Sequence, residues 1–155
     1  MELEQILNEL KIEYEKAEHE AVLTCEQAEF VKGLIKGQGC KNLFLKNSKK
    51  EYFLYVLPDD QKADLKKLGK DNGLGHLSFG GEQELSDILG LKPGGVTPLG
   101  IINDKENKVV ILLDGRLKGK TLLLHPNVNT ATVSIAFDDL IRLIEHEKHR
   151  YIITA

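Results

Sequence analysis

The apolar positions of the chain change between helical and strand spacing several times. Leu3, Ile6, Leu7 and Leu10 recur every three or four residues, which predicts an amphipathic helix over residues 2–11. Further helices are predicted over residues 24–32, 61–69, 82–89 and 137–148. Short apolar runs between turn residues predict strands, and these runs cover residues 14–20, 41–46, 52–57, 76–79, 109–113, 121–124 and 132–136.

The order of these elements predicts the fold class. No repeat, low-complexity tract or linker interrupts them, so residues 1–155 are expected to form a single domain. Helices and strands are interspersed, which is typical of a mixed α/β (α+β) protein. We therefore expect a mixed sheet of six or seven strands, or a partly closed barrel, surrounded by helices.

The composition narrows the cellular setting. A chain of 155 residues with 41% hydrophobic residues is long enough to bury a core without disulfides. Its two cysteines, Cys25 and Cys40, form no CxxC pair, which is typical of a reduced, intracellular protein. No apolar run approaches 18 residues, and no signal-peptide pattern is present. The sequence therefore predicts a soluble cytoplasmic protein with no membrane partner.

The lysines are concentrated in one part of the chain. The net charge of −3 argues against a general DNA-binding protein. Residues 32–70 nevertheless contain ten lysines and four acidic residues. Two interpretations stay open, a solvated charged surface or a face that binds phosphate groups. The second suits a ligand with a few phosphates better than a long duplex.

Two familiar catalytic motifs are incomplete. Residues 115–121 resemble a P-loop, but three residues separate the glycines where four are needed, and a strand follows instead of a helix. His146 and His149 are spaced three apart where a helical zinc pair needs four, so solvated surface histidines are expected. There is no Gly-x-Ser-x-Gly elbow, and neither cysteine has a local catalytic signature. The sequence thus argues against P-loop, zinc-protease and familiar nucleophile-based hydrolase chemistry.

Three segments differ from ordinary core or loop sequence. In residues 41–46 a lysine opens an apolar strand, and residues 94–98, Gly-Gly-Val-Thr-Pro, form a loop rich in backbone freedom and free amides. Residues 125–132 place a polar link between two apolar strands. Each segment also has an ordinary explanation. Lys41 could extend its head into water, the loop could be a tight turn after Gly90, and His125 could be a half-buried histidine bonded to backbone.

In this order the three segments resemble the YbaK/ProX family, the free-standing relatives of the editing domain inserted in bacterial prolyl-tRNA synthetases. The resemblance covers essentially the whole chain, from His19 and the Thr-Cys-Glu-Gln-Ala run at residues 24–28 to the closing helix. Lys41-Asn42 and His125-Pro126 are most similar to the alanyl-tRNA(Pro) deacylase branch. The cysteinyl-specific branch usually has a Lys-Thr pair at the first of these positions.

The resemblance implies an enzyme, an aminoacyl-tRNA deacylase that hydrolyses the ester of mischarged alanyl-tRNA(Pro) in trans. Such an activity is needed because a pocket shaped for proline cannot strongly reject alanine, each missing methylene being worth only about 1–3 kcal/mol. The implied partners are the acceptor end of aminoacylated tRNA(Pro) and prolyl-tRNA synthetase, with no DNA. The resemblance implies no metal and no cofactor, and it implies that the ribose hydroxyl of the terminal adenosine assists the attacking water.

The resemblance also implies the site residues. Lys41 would hold the phosphate or ribose of the terminal adenosine, and Asn42 would contact the aminoacyl group. The amides of the loop would stabilise charge on the ester carbonyl, an effect of roughly 3–4 kcal/mol per well-placed donor. The catalytic set is then Lys41, Asn42, Gly94 and Gly95, and the substrate-binding set is Lys41, Asn42, Val96, Thr97, Pro98, His125 and Thr130.

Two alternatives are compatible with the same residues. The first keeps the reaction and changes the substrate to cysteinyl-tRNA(Pro) or another small-aminoacyl-tRNA. The second is a non-catalytic module that uses the same pocket only to bind aminoacyl-tRNA.

Overall fold

The computed structural model describes residues 3–18, 36–92, 95–127 and 130–154. Within these ranges the helices are α1 (Leu3–Glu9), α2 (Leu65–Asp71), α3 (Glu82–Leu89) and α4 (Phe137–His146). The strands are β1 (Glu15–Glu18), β2 (Gln38–Asn47), β3 (Tyr52–Pro58), β4 (Leu77–Phe79), β5 (Val109–Asp114), β6 (Thr121–Leu124), β7 (Ala131–Ala136) and β8 (Tyr151–Thr154). Two 3₁₀ turns, Pro98–Asn103 and Gly115–Leu117, flank β5.

The strands form one mixed sheet in the order β1-β7-β6-β2-β3-β5-β8. Strand β2 organises it, because β3 pairs antiparallel along one edge from Cys40 to Lys46. The other edge of β2 is shared by two short partners. Strand β6 pairs in parallel with Gln38 and Gly39, and β4 pairs antiparallel with residues 45–47.

A gap is therefore left on the second edge of β2. In the described part of the chain no strand pairs with residues 40–44 on this edge, although the carbonyl of Phe44 accepts a hydrogen bond of 2.9 Å from the amide of Gly80. The gap lies where β6 ends and before β4 begins to pair. We call it the β2 gap below.

Both faces of the central strands are buried, each against a different set of helices. Leu54 and Val56 of β3 belong to a large core with α1, α3 and α4. Phe53, Tyr55 and Leu57 alternate with them and belong to a smaller core that includes Leu68 of α2 and Leu77 of β4. Burial on both faces explains why β3 reads as a continuous apolar run instead of an alternating one.

A polar cluster attaches α3 to the sheet above the large core. Glu84 accepts hydrogen bonds from the Lys46 ammonium (2.8 Å), the Tyr52 hydroxyl (2.6 Å) and the amide of Gly81 (3.1 Å). These bonds stabilise the carboxylate, the one from Lys46 most, and they lower the pKa of Glu84 to about 2. The same Glu84 bond and partial burial raise the pKa of Tyr52.

The predicted mixed α/β fold is confirmed, with eight strands in the described residues where six or seven were expected. The additional strand is β8, which pairs in parallel with β5. The closing helix was predicted to reach residue 148, but it ends at His146 and Lys148 adopts a left-handed φ of 59°. This turn redirects the apolar end of the chain onto the sheet edge.

Two other expectations need correction or fall outside the description. Helix α2 begins at Leu65 and not near residue 61, since Asp64 caps it by accepting a hydrogen bond from the amide of Lys67. The helix predicted over residues 24–32 lies outside the described residues.

The expectation of a surface His149 is wrong. Its ring is buried, with Nε2 3.0 Å from Oδ2 of Asp104 and Nδ1 3.1 Å from the carbonyl of Glu147. Asp104 Oδ2 also accepts a hydrogen bond of 2.8 Å from the amide of Val109. The pair joins the loop before β5 to the turn after α4. His146 is exposed, as expected.

Candidate functional site

Lys41 lies at the β2 gap with its side chain exposed. Its ammonium donates a 2.7 Å hydrogen bond to the carbonyl of Gln61, which leaves two of its three N–H donors for a ligand. The side chain of Gln61 is itself held, because its Oε1 accepts a 2.6 Å hydrogen bond from Arg116. The position of Lys41 is thus supported by a residue that the sequence analysis did not single out.

Arg116 is fixed in turn by a buried carboxylate. It donates to both oxygens of Asp114, from Nε at 3.0 Å and from Nη2 at 2.7 Å. Burial opposes ionisation of Asp114, but the hydrogen bonds from Arg116 outweigh it, so the pKa of Asp114 is lowered. Burial also raises the pKa of Tyr55, whose hydroxyl donates to Asp114 at 3.2 Å. A chain of contacts therefore connects the interior of the sheet to the head of Lys41.

Asn42 lies on the opposite face of the sheet from Lys41. It is paired with Val56, whose side chain belongs to the large core, whereas Lys41 is paired with Leu57 of the smaller core. The Oδ1 atom of Asn42 is buried, and no described residue donates a hydrogen bond to it. A buried acceptor left without a donor costs about 1–3 kcal/mol. This oxygen is therefore a candidate acceptor for a ligand that carries an N–H or O–H group.

The described part of the Gly94–Pro98 loop packs on the large-core side, where Val96 is half-buried and contacts that core. Gly94 lies outside the described residues, and the amide of Gly95 donates to the carbonyl of Lys92 at 3.0 Å. No described residue accepts a hydrogen bond from the amides of Val96 or Thr97. In the described part of the loop, these two amides are the candidate donors for a substrate, with Val96 half-buried and Thr97 buried.

Thr97 and Pro98 have a structural part in this loop. Both are buried, and the Thr97 hydroxyl accepts a 3.3 Å hydrogen bond from the amide of Leu99. The Thr97 carbonyl accepts another, of 3.1 Å, from Gly100. These bonds start the 3₁₀ turn Pro98–Asn103 and hold the loop backbone.

His125 follows β6 directly. Strand β6 pairs with β2 as far as Gly39–Leu123, so His125 comes two residues after the last pair, where the β2 gap begins. Its Nδ1 is 3.1 Å from the carbonyl of Ala131. A carbonyl only accepts, so Nδ1 carries the proton and Nε2 of the neutral ring is an acceptor. Thr130 is exposed in the turn before β7.

Asn127 is a further candidate that the sequence analysis did not select. It has a left-handed φ of 66°, and its buried Oδ1 has no hydrogen-bond donor among the described residues. Both features resemble those of a residue held for a ligand. A signal was present in the sequence, since Asn127 follows Pro126 within the polar segment of residues 125–132.

Among the described residues, the candidate site lies along the edge of the sheet at the β2 gap. Two cavities of about 620 and 610 Å³ lie elsewhere, the first around His149 and Tyr151 and the second around Tyr14 and Ser134. Neither is lined by a predicted site residue. No described carboxylate lies within hydrogen-bond distance of Lys41, Asn42 or His125, so these residues have no paired acid or base there.

The model of the aminoacyl-tRNA editing domain family matches residues 19–143. The chain belongs to this family. It is similar to the prolyl-tRNA editing protein ProX of Acetoanaerobium sticklandii, with 38% identity over 90% of this chain and 86% of that protein. It is also similar to the prolyl-tRNA synthetase associated domain-containing protein 1 of Danio rerio, with 36% identity over 98% of this chain and 84% of that protein.

The editing-domain fold is also found among solved structures. The crystal structure of a candidate trans-editing enzyme for prolyl tRNA synthetase superposes with a TM-score of 0.69 and 20% identity, over 90% of this chain and 85% of that chain. The family membership inferred from residues 41–46, 94–98 and 125–132 is thereby confirmed. The roles of the individual site residues stay predictions. None of the helices in the described ranges has the length and apolar character needed to cross a bilayer.

Proposed function

We propose that this member of the aminoacyl-tRNA editing family removes alanine from mischarged alanyl-tRNA(Pro) in trans, with residues 1–155 acting as one editing unit. Membership of the family supports an enzyme of the aminoacyl-tRNA deacylase class. The choice of alanine follows from the Lys41-Asn42 and His125-Pro126 pairs. The partner is the acceptor end of tRNA(Pro), and prolyl-tRNA synthetase is the enzyme whose error is corrected.

The observation that carries the proposal is the buried Oδ1 of Asn42, which has no donor among the described residues, and the ammonium of Lys41 on the opposite face, which keeps two N–H donors beside its bond to Gln61. An aminoacyl ester has an α-ammonium group at one end and ribose and phosphate at the other. The α-ammonium group of the substrate can donate a hydrogen bond to Asn42 on the large-core side of β2. Lys41 can bind the phosphate or ribose oxygens on the other side, because its side chain lies on the opposite face.

The reaction then depends on the ribose hydroxyl of the substrate and on backbone amides of the protein. A water molecule adds to the ester carbonyl carbon, and the ribose hydroxyl next to the ester accepts a proton from that water while it passes its own proton to the ester oxygen of the ribose. The amides of Val96 and Thr97 stabilise the oxyanion, each contributing roughly 3–4 kcal/mol if well placed. The bond between the carbonyl carbon and that now protonated ribose oxygen breaks, so the tRNA leaves with both ribose hydroxyls and alanine leaves as the free acid. His125 Nε2 orients the ribose hydroxyl by accepting a hydrogen bond.

A panel of charged tRNA(Pro) tests the proposal. Alanyl-, cysteinyl-, seryl- and prolyl-tRNA(Pro) are incubated separately with the protein, and loss of the labelled amino acid is measured. Alanyl-tRNA(Pro) should be hydrolysed fastest and prolyl-tRNA(Pro) slowest. If cysteine or serine is lost faster than alanine, that amino acid and not alanine is the one that the protein removes. Tight binding of every tRNA without ester loss would show the non-catalytic module instead.

A further inference from the structure

The aromatic side chain of Phe79 does not belong to either hydrophobic core. Its side chain is 61% exposed, and in the described part of the chain Ile153 is the one other large hydrophobic residue that is exposed, at 37%. Phe79 is the last residue of β4, at the end of the β2 gap. An exposed ring on a rigid strand is a feature of surfaces that stack nucleobases.

The backbone around Phe79 is held firmly. The amide of the next residue, Gly80, donates to the carbonyl of Phe44. A Cβ at Gly80 would come within 2.4 Å of the Phe44 ring, so only glycine fits this turn. Phe44 is itself stacked on Tyr52 at a centroid distance of 5.7 Å. Phe79 is therefore presented at a defined place beside the gap.

Phe79 and Lys41 share one face of the sheet. Phe79 is paired with Leu45, whose side chain belongs to the smaller core, as does that of Leu57 opposite Lys41. Lys41 is four residues further along β2, which at about 3.3 Å per residue places the two Cα positions roughly 13 Å apart along the strand. Stacked nucleotides advance about 3.4 Å each, so about three or four of them span this distance.

The charged side chains of β2 and of the residues on either side of it are all lysines. Residues 36–50 contain five lysines and no acidic residue, at positions 36, 41, 46, 49 and 50. Lys46 is paired with Glu84. Lys41 lies on one side of Phe79 along the strand, and Lys49 and Lys50 lie in the turn on the other side. This arrangement complements a short single strand of phosphates with a base on the ring between them.

We propose that Phe79 stacks a base of the single-stranded 3′ end of the tRNA, upstream of the terminal adenosine, while Lys41 and the turn lysines Lys49 and Lys50 bind its phosphates. The inference rests on the proposed function, because it assumes that the terminal adenosine is held near Lys41. It assigns Phe79 as a positioning residue for the acceptor end. In this arrangement the RNA strand runs from the terminal adenosine at Lys41, past Phe79, toward Lys49.

Kinetics with three variants test the proposal. Phe79→Ala should raise KM for alanyl-tRNA(Pro) by about 5- to 150-fold with kcat unchanged, since base–aromatic stacking contributes about 1–3 kcal/mol per base. Phe79→Tyr keeps the ring face and should restore KM to within about twofold of the original. Ile153→Ala is the matched control, because it removes the other exposed hydrophobic residue from the far edge of the sheet and should leave KM unchanged.

A binding assay separates this inference from the proposed function. An uncharged RNA minihelix that ends in CCA carries 2-aminopurine at one of the unpaired 3′ positions, so no hydrolysis is involved. Its fluorescence should be quenched by the protein and much less by Phe79→Ala. Lys49→Gln should reduce the salt slope of binding by about 0.7, the value expected for one phosphate contact on a single strand.

The result that would overturn the inference is equal quenching and equal affinity for the original protein and Phe79→Ala. A change in sedimentation of Phe79→Ala with unchanged RNA binding would also overturn it, since the ring would then serve self-association. If the minihelix result holds but no charged tRNA is deacylated, the proposed function fails and the stacking site stands.

Discussion

Asn42→Leu should make the protein more stable and less active. In most buried positions the loss of a polar side chain lowers both properties. Here the Oδ1 of Asn42 is buried without a donor among the described residues, so it has lost its hydration without gaining a hydrogen bond, and this destabilises the folded state without substrate. Leucine has a similar shape and removes that cost, and it also removes the acceptor for the α-ammonium group of the substrate.

The two effects can be estimated separately. An unsatisfied buried polar group costs about 1–3 kcal/mol, and the lower end applies because Asn42 as a whole is only half-buried. The free energy of unfolding should therefore rise by about 1 kcal/mol, as measured by urea denaturation at neutral pH. A hydrogen bond to a charged group contributes about 1.5–3 kcal/mol, so kcat/KM for alanyl-tRNA(Pro) should fall about 10- to 150-fold.

Asn47→Leu is the matched control on the same strand. The amide of Asn47 is fully engaged, donating to Glu51 and to the carbonyl of Leu74 at 2.9 Å and accepting from the amides of Lys49 and Glu51 at 3.1 and 3.0 Å. Its replacement should lower the unfolding free energy by at least about 2 kcal/mol and leave kcat/KM of the folded protein unchanged. If Asn42→Leu behaves like Asn47→Leu, the assignment of Asn42 as a substrate contact is refuted.

Four further outcomes are expected. Lys41→Ala should lower kcat/KM at least about tenfold while changing the unfolding free energy by less than about 0.5 kcal/mol, because the side chain is exposed. Normal deacylation by this variant would show that Lys41 does not act in the site. Alanyl-tRNA(Pro) ending in 2′-deoxyadenosine should lose most of its hydrolysis, and an undiminished rate in the same assay would rule out assistance by the ribose hydroxyl. The lowered pKa of Glu84, about 2 against an ordinary 4.5, contributes stability that is present above pH 4.5 and lost as the pH falls toward 2; Glu84→Gln should flatten the stability profile in that window, and an unchanged acid limb in urea titrations would contradict this. His149→Leu leaves buried Asp104 without its ring partner and should cost about 1.5–3 kcal/mol, the contribution of a hydrogen bond to a charged group, so an unchanged urea midpoint would exclude the pair as a stabilising contact.

Much of the fold could be predicted because the apolar runs are long and bounded by turn residues. Strand β6 was predicted with the observed bounds, and β3 and β5 each to within one residue. Strand β8 was missed because a helical pattern reaches the end of α4, and only the left-handed turn at Lys148 ends it. Such a turn is decided by the contact of β8 with β5, which is a tertiary interaction.

The site was less accessible to sequence reasoning. Lys41, Asn42 and His125 were selected from their segments, but the contacts that hold Lys41 were not predicted. Gln61, 20 positions along the chain, accepts a hydrogen bond from Lys41, and Arg116, 75 positions from Lys41, donates to Gln61; no local pattern marks either of them. The burial of His149 likewise depends on Asp104, which lies 45 residues away. Such long-range contacts are set by packing, which a sequence pattern does not encode locally.

The opposite directions of Lys41 and Asn42 did follow from the sequence, although the pattern was interpreted only as a strand. Successive side chains of a strand point to opposite faces, so a Lys-Asn dipeptide at an open edge reaches both sides of the sheet. An ester substrate placed across that edge meets an ammonium on one face and an amide oxygen on the other. In the proposed function the dipeptide would therefore bind the two ends of one substrate, with the scissile bond between them. This geometry needs no catalytic side chain at the bond itself, which agrees with a mechanism that takes its proton acceptor from the ribose.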